Sequence, residues 1–226
     1  MERVLITGAN RGIGLEFVRQ YHQRGARVFA TCREPGEAHA LNAFDDKVTA
    51  IALDVTDTDS IDAAYEEVHQ HTDTLDVLIN NAGYLYPEYS LNDIDPVVAA
   101  HTFAINATGP ILVGRHFANL LRAAQHPRII NISSDAGSIS QRSGTRNISY
   151  AASKAALNMF SKVMANGLPD IIVIALHPGW VQTDMGGQEA SLSLAESVHS
   201  MLQIIDGLQP GDTGRYLQWD GQALPY

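Results

Sequence analysis

Residues 4–14 read Val4-Leu5-Ile6-Thr7-Gly8-Ala9-Asn10-Arg11-Gly12-Ile13-Gly14, and this stretch decides the fold. A short aliphatic run is followed at once by three glycines and then by an amphipathic segment, which predicts a strand, a tight turn and a helix. Glycines let the backbone approach a pyrophosphate, and the helix N-terminus offers that anion unpaired N–H groups. The spacing is Gly-x-x-x-Gly-x-Gly rather than the commoner Gly-x-Gly-x-x-Gly. We therefore predict a phosphate-binding turn, the alternative being a tight turn whose glycines serve packing only.

The alternation of strand and helix continues along the whole chain. Strand-sized aliphatic runs are Val4–Ile6, Arg27–Ala30, Val48–Ala52, Val77–Ile79, Arg128–Ile132, Ile171–Ala175 and Arg215–Gln218. Helix-length amphipathic segments are Ile13–Arg24, Thr58–His71, Pro96–Asn106, Pro110–Gln125, Ser149–Asn166 and Leu192–Ile205. Predicted N-caps are Asp57 and Ser149, and predicted helix ends are Gly25 and Gly167. Strands that are apolar on both faces and alternate with helices are typical of a covered parallel sheet. We predict an α/β fold, a Rossmann-type doubly wound parallel sheet of about seven strands with helices on both faces, in one domain over residues 1–226.

Composition narrows the possible partners. The chain has 226 residues and a formal charge of -10, from 25 acidic and 15 basic residues, which argues against a surface that binds nucleic acid or anionic lipid. The single cysteine, Cys32, excludes an internal disulfide framework, and no Cys and His cluster has metal-site spacing. We find no apolar span near 20 residues. The expectations are a cytoplasmic protein with no metal, no membrane partner and no nucleic-acid partner.

A second informative stretch is Tyr150-Ala-Ala-Ser-Lys154. Tyr and Lys four residues apart on a helix lie on one face, and an ammonium beside a phenol favours the phenolate. The spacing thus predicts a Tyr150 whose pKa falls from about 10 toward neutrality, so that it can donate and accept a proton. The alternative is a solvated helix face that carries this spacing by chance.

Thr7-Gly-x-x-x-Gly-x-Gly14 together with Tyr150-x-x-x-Lys154 resembles the short-chain dehydrogenase/reductase family. Further markers of that family follow in order between Thr7 and Thr183: Asn80-Asn81-Ala82-Gly83, Asn106, Ser133-Ser134 and Pro178-Gly179. Within the family, the short loop after Pro178-Gly179-Trp180-Val181-Gln182-Thr183 and the ending Asp220-Gly221 resemble the compact carbonyl-reductase-like group of sniffer and C-factor proteins. The resemblance implies a nicotinamide cofactor and hydride transfer between it and a carbonyl or alcohol carbon.

The end of the second predicted strand bears on the choice of cofactor. An acidic residue there suits NAD, whereas an Arg suits the 2′-phosphate of NADP. By the family pattern Cys32 stands where an NAD-type enzyme carries Asp, with Arg33 after it and Arg11 nearby, so we expect NADP(H). The alternative is that Glu34 binds the ribose and both arginines are solvated charges. The cofactor-binding residues that the resemblance implies are Gly8, Asn10, Arg11, Gly12, Ile13, Gly14, Arg33, Asp54, Val55, Asn81, Ala82, Gly83, Tyr150, Lys154, Pro178, Gly179, Val181 and Thr183.

The resemblance also implies catalytic roles. Tyr150 is expected to exchange the proton, Ser134 to hydrogen-bond the substrate oxygen, Lys154 to lower the Tyr150 pKa and bind the nicotinamide ribose, and Asn106 to anchor a water that joins Lys154 to solvent. Ser133 is the alternative to Ser134, since strand alternation points neighbouring side chains in opposite directions. Asn106 could instead be a helix-end residue before Gly109-Pro110.

The expected function is that of an NADPH-dependent carbonyl reductase. The predicted substrate-facing residues suit a hydrophobic carbonyl compound, although ordinary loop packing would also explain them: Tyr84, Leu85, Tyr86, Trp180 and Met185. One alternative is a non-enzymatic or weakly enzymatic dinucleotide-binding protein for signalling or redox sensing, and another is alcohol oxidation by NADP. The family resemblance also implies a homodimer through the segments Pro110–Gln125 and Ser149–Asn166.

Overall fold

A computed structural model describes residues 1–226 and contains one sheet of seven parallel strands, so the predicted fold class is confirmed. The strands are β1 (Arg3–Thr7), β2 (Arg27–Cys32), β3 (Val48–Ala52), β4 (Val77–Asn80), β5 (Arg128–Ile132), β6 (Ile172–His177) and β7 (Tyr216–Gln218). Their order in the sheet is β3-β2-β1-β4-β5-β6-β7. The order reverses between β1 and β4, and ligands of doubly wound sheets bind beside that point, at the carboxyl ends of the strands.

Helices cover both faces of the sheet. They are α1 (Gly12–Gln23), α2 (His39–Asn42), α3 (Thr58–His71), α4 (Pro96–Phe103), α5 (Gly109–Arg122), α6 (Ile148–Gly167) and α7 (Leu194–Gly207). Single 3₁₀ turns lie at Pro35–Glu37, Leu91–Asp93, Asp135–Gly137 and Pro210–Asp212. Alternate residues of β1 serve the two cores: Val4 and Ile6 pack with α1 and α7, and Leu5 packs with α3, α5 and α6.

Helix boundaries follow the predicted pattern with two corrections. The Asp57 side chain caps α3 by accepting a hydrogen bond from the Asp59 N–H, as predicted. Ser149, by contrast, does not cap α6, because the helix begins one residue earlier and its N-cap is Asn147. The prediction of separate helices over 96–106 and 110–125 is also wrong, since Pro96–Arg122 is one continuous helix.

A π-helical turn over Ala104–Thr108 joins the two parts of that helix. Pro110 has no N–H to give to the carbonyl of Asn106, which it would meet in a regular α-helix, and the wider turn accommodates this mismatch. By length and composition the 27-residue helix could span a membrane, which corrects the expectation that no such span exists. Its buried side chains Val113, Phe117 and Leu121 pack in the core that Leu5 shares with α3, α5 and α6, and that packing accounts for the apolar sequence.

Candidate active site

The glycine turn after β1 is held against the segment that follows β4. The hydroxyl of Thr7 accepts hydrogen bonds from the N–H groups of Asn81 and Ala82, both at 3.0 Å. Gly8 has a φ of +63°, and a Cβ built on it would lie 2.8 Å from the Cα of Ala82. No larger residue fits there without moving the backbone.

Gly14 permits an equally close approach within the first turn of α1. A Cβ at this position would lie 2.6 Å from Nδ2 of Asn81, which donates hydrogen bonds to the carbonyls of Thr7 at 2.9 Å and Gly8 at 3.0 Å. The N-cap of α1, Arg11, is extended and provides no side-chain cap, and the first turn holds no acidic residue. The first N–H groups of α1 are therefore available to an anion, which fits a pyrophosphate.

A cavity of about 580 Å³ extends from this turn to α6 along the carboxyl edge of the sheet. It brings together most of the predicted cofactor residues: Gly8, Asn10, Arg11, Gly12, Ile13, Arg33, Asp54, Val55, Asn81, Ala82, Gly83, Tyr150, Lys154, Pro178 and Thr183. Its size suits a small organic cofactor. The turn, the free helix N-terminus and the cavity thus together fit a dinucleotide.

Five predicted site residues do not border this cavity: Gly14, Asn106, Ser134, Gly179 and Val181. Gly179 has a φ of +83° and packs against Trp219, whose Cδ1 would lie 2.7 Å from a Cβ. Val181 pairs with Leu192 in an isolated bridge. Both residues shape the loop that carries Thr183 to the cavity.

The end of β2 presents residues of both charges. Arg33 forms no ion pair. Arg11, the N-cap of α1, contacts Asp184 at 2.9 Å in a solvent-exposed pair, and such a pair contributes little to stability. Burial raises the pKa of the Cys32 thiol, so this residue stays uncharged beside them. Glu34 also borders the cavity, and so does Glu37, which was not predicted.

Tyr150 lies in the first turn of α6, and Lys154 lies one turn later on the same face. Lys154 is 4% exposed, and its Nζ donates a hydrogen bond to the carbonyl of Ile132 at 2.7 Å. The same Nζ lies 5.7 Å from the centroid of the Tyr150 ring. The spacing therefore places both groups at the cavity, with the ammonium anchored to the end of β5.

The expected fall of the Tyr150 pKa is not found in this structure. Burial raises the pKa of Tyr150 to about 12; the nearby Ser134 hydroxyl opposes this shift and the Asp135 carboxylate adds to it. Burial also lowers the pKa of Lys154 to about 8. Although Tyr150 keeps part of its surface open to the cavity, desolvation disfavours the charged form of each group and is the largest cause of both shifts.

The two serines after β5 differ in their partners. The Ser133 hydroxyl donates a hydrogen bond to Oδ1 of Asn158 at 2.6 Å and is thereby engaged in the core. The Ser134 hydroxyl contacts Asp135 and lies close enough to Tyr150 to influence its pKa. This arrangement favours Ser134 as the residue beside the reacting oxygen, although Ser133 borders the cavity and Ser134 does not.

Asn106 is fully buried within the π-helical turn, which excludes the helix-end alternative. Its Oδ1 accepts the Tyr84 N–H at 2.7 Å, and its Nδ2 donates to the Tyr84 carbonyl at 2.8 Å and to the Ser153 hydroxyl at 2.9 Å. A Cβ on Gly83 would lie 3.6 Å from Asn106 Oδ1 and 3.9 Å from Lys154 Nζ, so the two side chains are near neighbours. Asn106 thus holds the segment after β4 beside Lys154.

Of the predicted substrate-facing residues, Tyr84 and Met185 border the cavity, and Leu85, Tyr86 and Trp180 do not. The cavity also includes residues that were not predicted: Leu53, His101, Ile105 and Ile132. His101 and Ile105 are four residues apart, and this spacing could have predicted that they share one helix face. Ile105 directly precedes Asn106 in the chain. Leu53 and Ile132 end or follow strands and carried no distinguishing signal.

The sequence model of the short chain dehydrogenase family matches residues 2–192. The chain belongs to this family. It is 41% identical over 157 residues to the C-signal of Myxococcus xanthus, an alignment that covers 69% of this chain and 95% of that protein. The membership predicted from the glycine turn and the Tyr150 and Lys154 pair is therefore confirmed.

Two solved structures share the whole fold. The NADPH-bound carbonyl reductase from chicken fatty liver superposes with a TM-score of 0.93 at 35% identity, covering 100% of this chain and 99% of that one. The carbonyl reductase Sniffer of Drosophila melanogaster superposes with a TM-score of 0.95 at 30% identity, covering 100% of both chains. The predicted resemblance to the sniffer-like group is thus confirmed as well.

Proposed function

We propose that this short-chain dehydrogenase is an NADPH-dependent carbonyl reductase in which Tyr150 is the general acid. The observation that carries the proposal is the single cavity that joins the glycine turn and the free N-terminus of α1 to Tyr150 and Lys154. Two of the proteins that share its fold are carbonyl reductases, one of them with NADPH bound. The fold, the anion site and the proton donor therefore support the same reaction.

The reaction divides the work between the cofactor and the protein. The nicotinamide supplies a hydride to the carbonyl carbon, and negative charge then develops on the carbonyl oxygen. Tyr150 donates its phenolic proton to that oxygen, and the Ser134 hydroxyl turns from Asp135 to hydrogen-bond it. The Lys154 ammonium stabilises the phenolate that is left, and Asn106 anchors the water through which the proton is replaced.

The protonation state of Tyr150 suits a proton donor. With a pKa of about 12 the phenol stays protonated at neutral pH. The same residues would catalyse alcohol oxidation, because a reversible hydride transfer uses one set of groups in both directions. We propose reduction as the direction because two proteins that share the fold are carbonyl reductases.

The cofactor preference rests on Arg33. Because Arg33 borders the cavity at the end of β2 and has no ion-pair partner, its guanidinium can bind a 2′-phosphate. We expect Arg33→Asp to raise the KM for NADPH on the order of 10- to 100-fold, because it removes one or two charge-assisted hydrogen bonds to the 2′-phosphate. The KM for NADH should change far less, since NADH lacks that phosphate. Steady-state kinetics with both cofactors measure this.

The matched control is Arg115→Asp, which makes the same charge change at an exposed residue of α5 outside the cavity. It should leave both KM values within about twofold of the wild type, since long-range charge effects are screened by salt. If the wild type prefers NADH, Glu34 rather than Arg33 decides the cofactor and the assignment is wrong.

Turnover itself is tested by NADPH oxidation with a panel of aldehydes, ketones and quinones. Tyr84 and Met185 border the cavity, so we expect hydrophobic and aromatic carbonyl compounds to give the highest kcat/KM and small polar ones the lowest. The result also identifies the substrate class. NADPH binding without consumption on any member of the panel would overturn the proposal.

A second candidate is a dinucleotide-binding signalling protein, favoured by the 41% identity to the C-signal of Myxococcus xanthus. Tyr150, Lys154, Ser134 and Asn106 are all in place, so the catalytic function remains the primary proposal. The same assay separates the two, because a protein that only binds would show NADPH affinity without turnover.

We also propose a cytoplasmic homodimer that takes a hydrophobic carbonyl substrate. Met159 and Val163 lie one turn apart on the outside of α6 and are 62% and 50% exposed, an apolar stripe that a second copy would cover. The free, buried Cys32 suits a reducing compartment. Light scattering that gives the mass of one chain would contradict the homodimer. Recovery of the protein outside the cytosolic fraction would contradict the cytoplasmic location.

A further inference from the structure

Glu88 is a buried acidic residue that the proposed chemistry does not use. It is 0% exposed, and no Lys, Arg or His lies within ion-pair distance of its carboxylate. Both oxygens instead accept hydrogen bonds from Ser149, one from its N–H and one from its hydroxyl, each at 2.6 Å. Burying a carboxylate without a cation is costly, so a specific local interaction must compensate for it.

That interaction is the missing cap of α6. The N-cap of this helix, Asn147, is in the left-handed conformation with a φ of 53° and makes no side-chain cap hydrogen bond, and the first turn has no acidic residue. In contrast, Asp57 caps α3, and Ser193 with Glu196 caps α7. A carboxylate at a helix N-terminus binds the free N–H groups and is attracted by the helix dipole. Glu88, 61 residues before Ser149, therefore supplies the cap that α6 lacks.

The cap also ties a loop to the helix that carries the proton donor. The carbonyl of Glu88 accepts the N–H of Asn147 at 2.7 Å, so three hydrogen bonds join Glu88 to the start of α6. Tyr150 is the residue directly after Ser149. At its other end the same loop is held by Asn106 through the backbone of Tyr84.

We propose that Glu88 is a positioning residue, whose carboxylate fixes the first turn of α6 through Ser149 and thereby holds the phenol of Tyr150 in place for proton transfer. This inference rests on the proposed reductase function. A helix end that frays displaces the phenol by an ångström or more, and displacements of that size reduce rates strongly because proton transfer needs close heavy-atom distances.

The kinetic test uses three single variants, one double variant and a matched control. Glu88→Ala should lower kcat about 10- to 100-fold at a temperature well below its Tm, with the KM for NADPH almost unchanged. Glu88→Gln should remain within about threefold of the wild type, because its Oε1 can accept from the Ser149 N–H and its Nε2 can donate to the Ser149 hydroxyl. Ser149→Ala should have an intermediate effect, and the double variant Glu88→Ala/Ser149→Ala should be no slower than Glu88→Ala alone.

The control is Glu196→Ala, since Glu196 accepts the same pair of hydrogen bonds from Ser193 at the start of α7. It should change the Tm without lowering kcat. A Glu88→Ala variant that loses only stability, or single effects that add in the double variant, would overturn the positioning role. If Glu88→Ala does not fold, Glu88→Gln and Ser149→Ala still test it through their comparison with Glu196→Ala.

Amide hydrogen exchange tests the same contact without turnover. Exchange over residues 147–153 should rise at least about tenfold in Glu88→Ala, while the last turns of α6 remain protected. Unchanged protection of the first turn would overturn the inference. If the wild type gives no turnover but exchange still rises in Glu88→Ala, the proposed function is refuted and the capping contact stands. The two failures are therefore distinguishable.

Discussion

Tyr150→Phe is expected to reduce kcat for carbonyl reduction by about 10³-fold, because it removes the only hydroxyl assigned to give a proton to the substrate oxygen. The substitution deletes one oxygen and keeps the ring that packs beside Lys154. Binding of NADPH, followed by the change in its fluorescence, should remain within about fivefold of the wild type, since one lost hydrogen bond is worth only about 1 kcal/mol. The measurement is the ratio of kcat for the two proteins on the best substrate of the carbonyl panel.

Tyr65→Phe is the control for this substitution. Tyr65 lies on α3, packed against Phe117 and away from the cavity, so its loss of a hydroxyl should leave kcat unchanged. Turnover in Tyr150→Phe at the wild-type rate would show that another group gives the proton.

The second large effect is expected at Lys154. Burial lowers its pKa to about 8, so the free enzyme carries the ammonium below that pH and loses it above. Because the ammonium stabilises the developing phenolate, kcat/KM for NADPH, which reports on the free enzyme, should be constant below pH 8 and fall above it. Lys154→Met, which removes the charge, should be about 10²- to 10³-fold slower and should lack this alkaline limb.

A pH series from 6 to about 10 for both proteins measures the effect, within a range where Tyr150 stays protonated because its pKa is about 12. An alkaline limb that persists in Lys154→Met would assign the titration to another group. A wild type without any limb would show that the charge of Lys154 does not govern the reaction.

The fold could be predicted because its signals are local. Residues 4–14 contain a strand, a glycine turn and a helix start within eleven positions, and the same alternation recurs through β7. The helix that runs from Pro96 to Arg122 could not be predicted as one element, because Gly109-Pro110 normally ends a helix. Asn106 in the π-helical turn makes hydrogen bonds to Tyr84 and Ser153, which are distant in sequence, and no local pattern predicts such partners.

Most of the predicted site residues border the cavity, but the direction of the Tyr150 pKa shift was not predicted. The spacing of Tyr150 and Lys154 placed them on one helix face, which is a property of α-helices. Their pKa values depend on how much protein surrounds each group, and no spacing rule contains that information. Glu88 carried no signal, since a Glu in a loop is ordinarily solvated and its partner Ser149 is distant in sequence.

Deuterium transfer from NADPH tests the reductase function by following the hydride itself. NADPH carrying deuterium at both C4 positions is incubated with the protein and its best aldehyde or ketone, and the alcohol is analysed by mass spectrometry. We expect one deuterium in the product, bound to the former carbonyl carbon, formed about 10³-fold more slowly by Tyr150→Phe. An alcohol without deuterium at that carbon would exclude hydride transfer from NADPH, and the absence of alcohol from every carbonyl compound tested would exclude the reductase function.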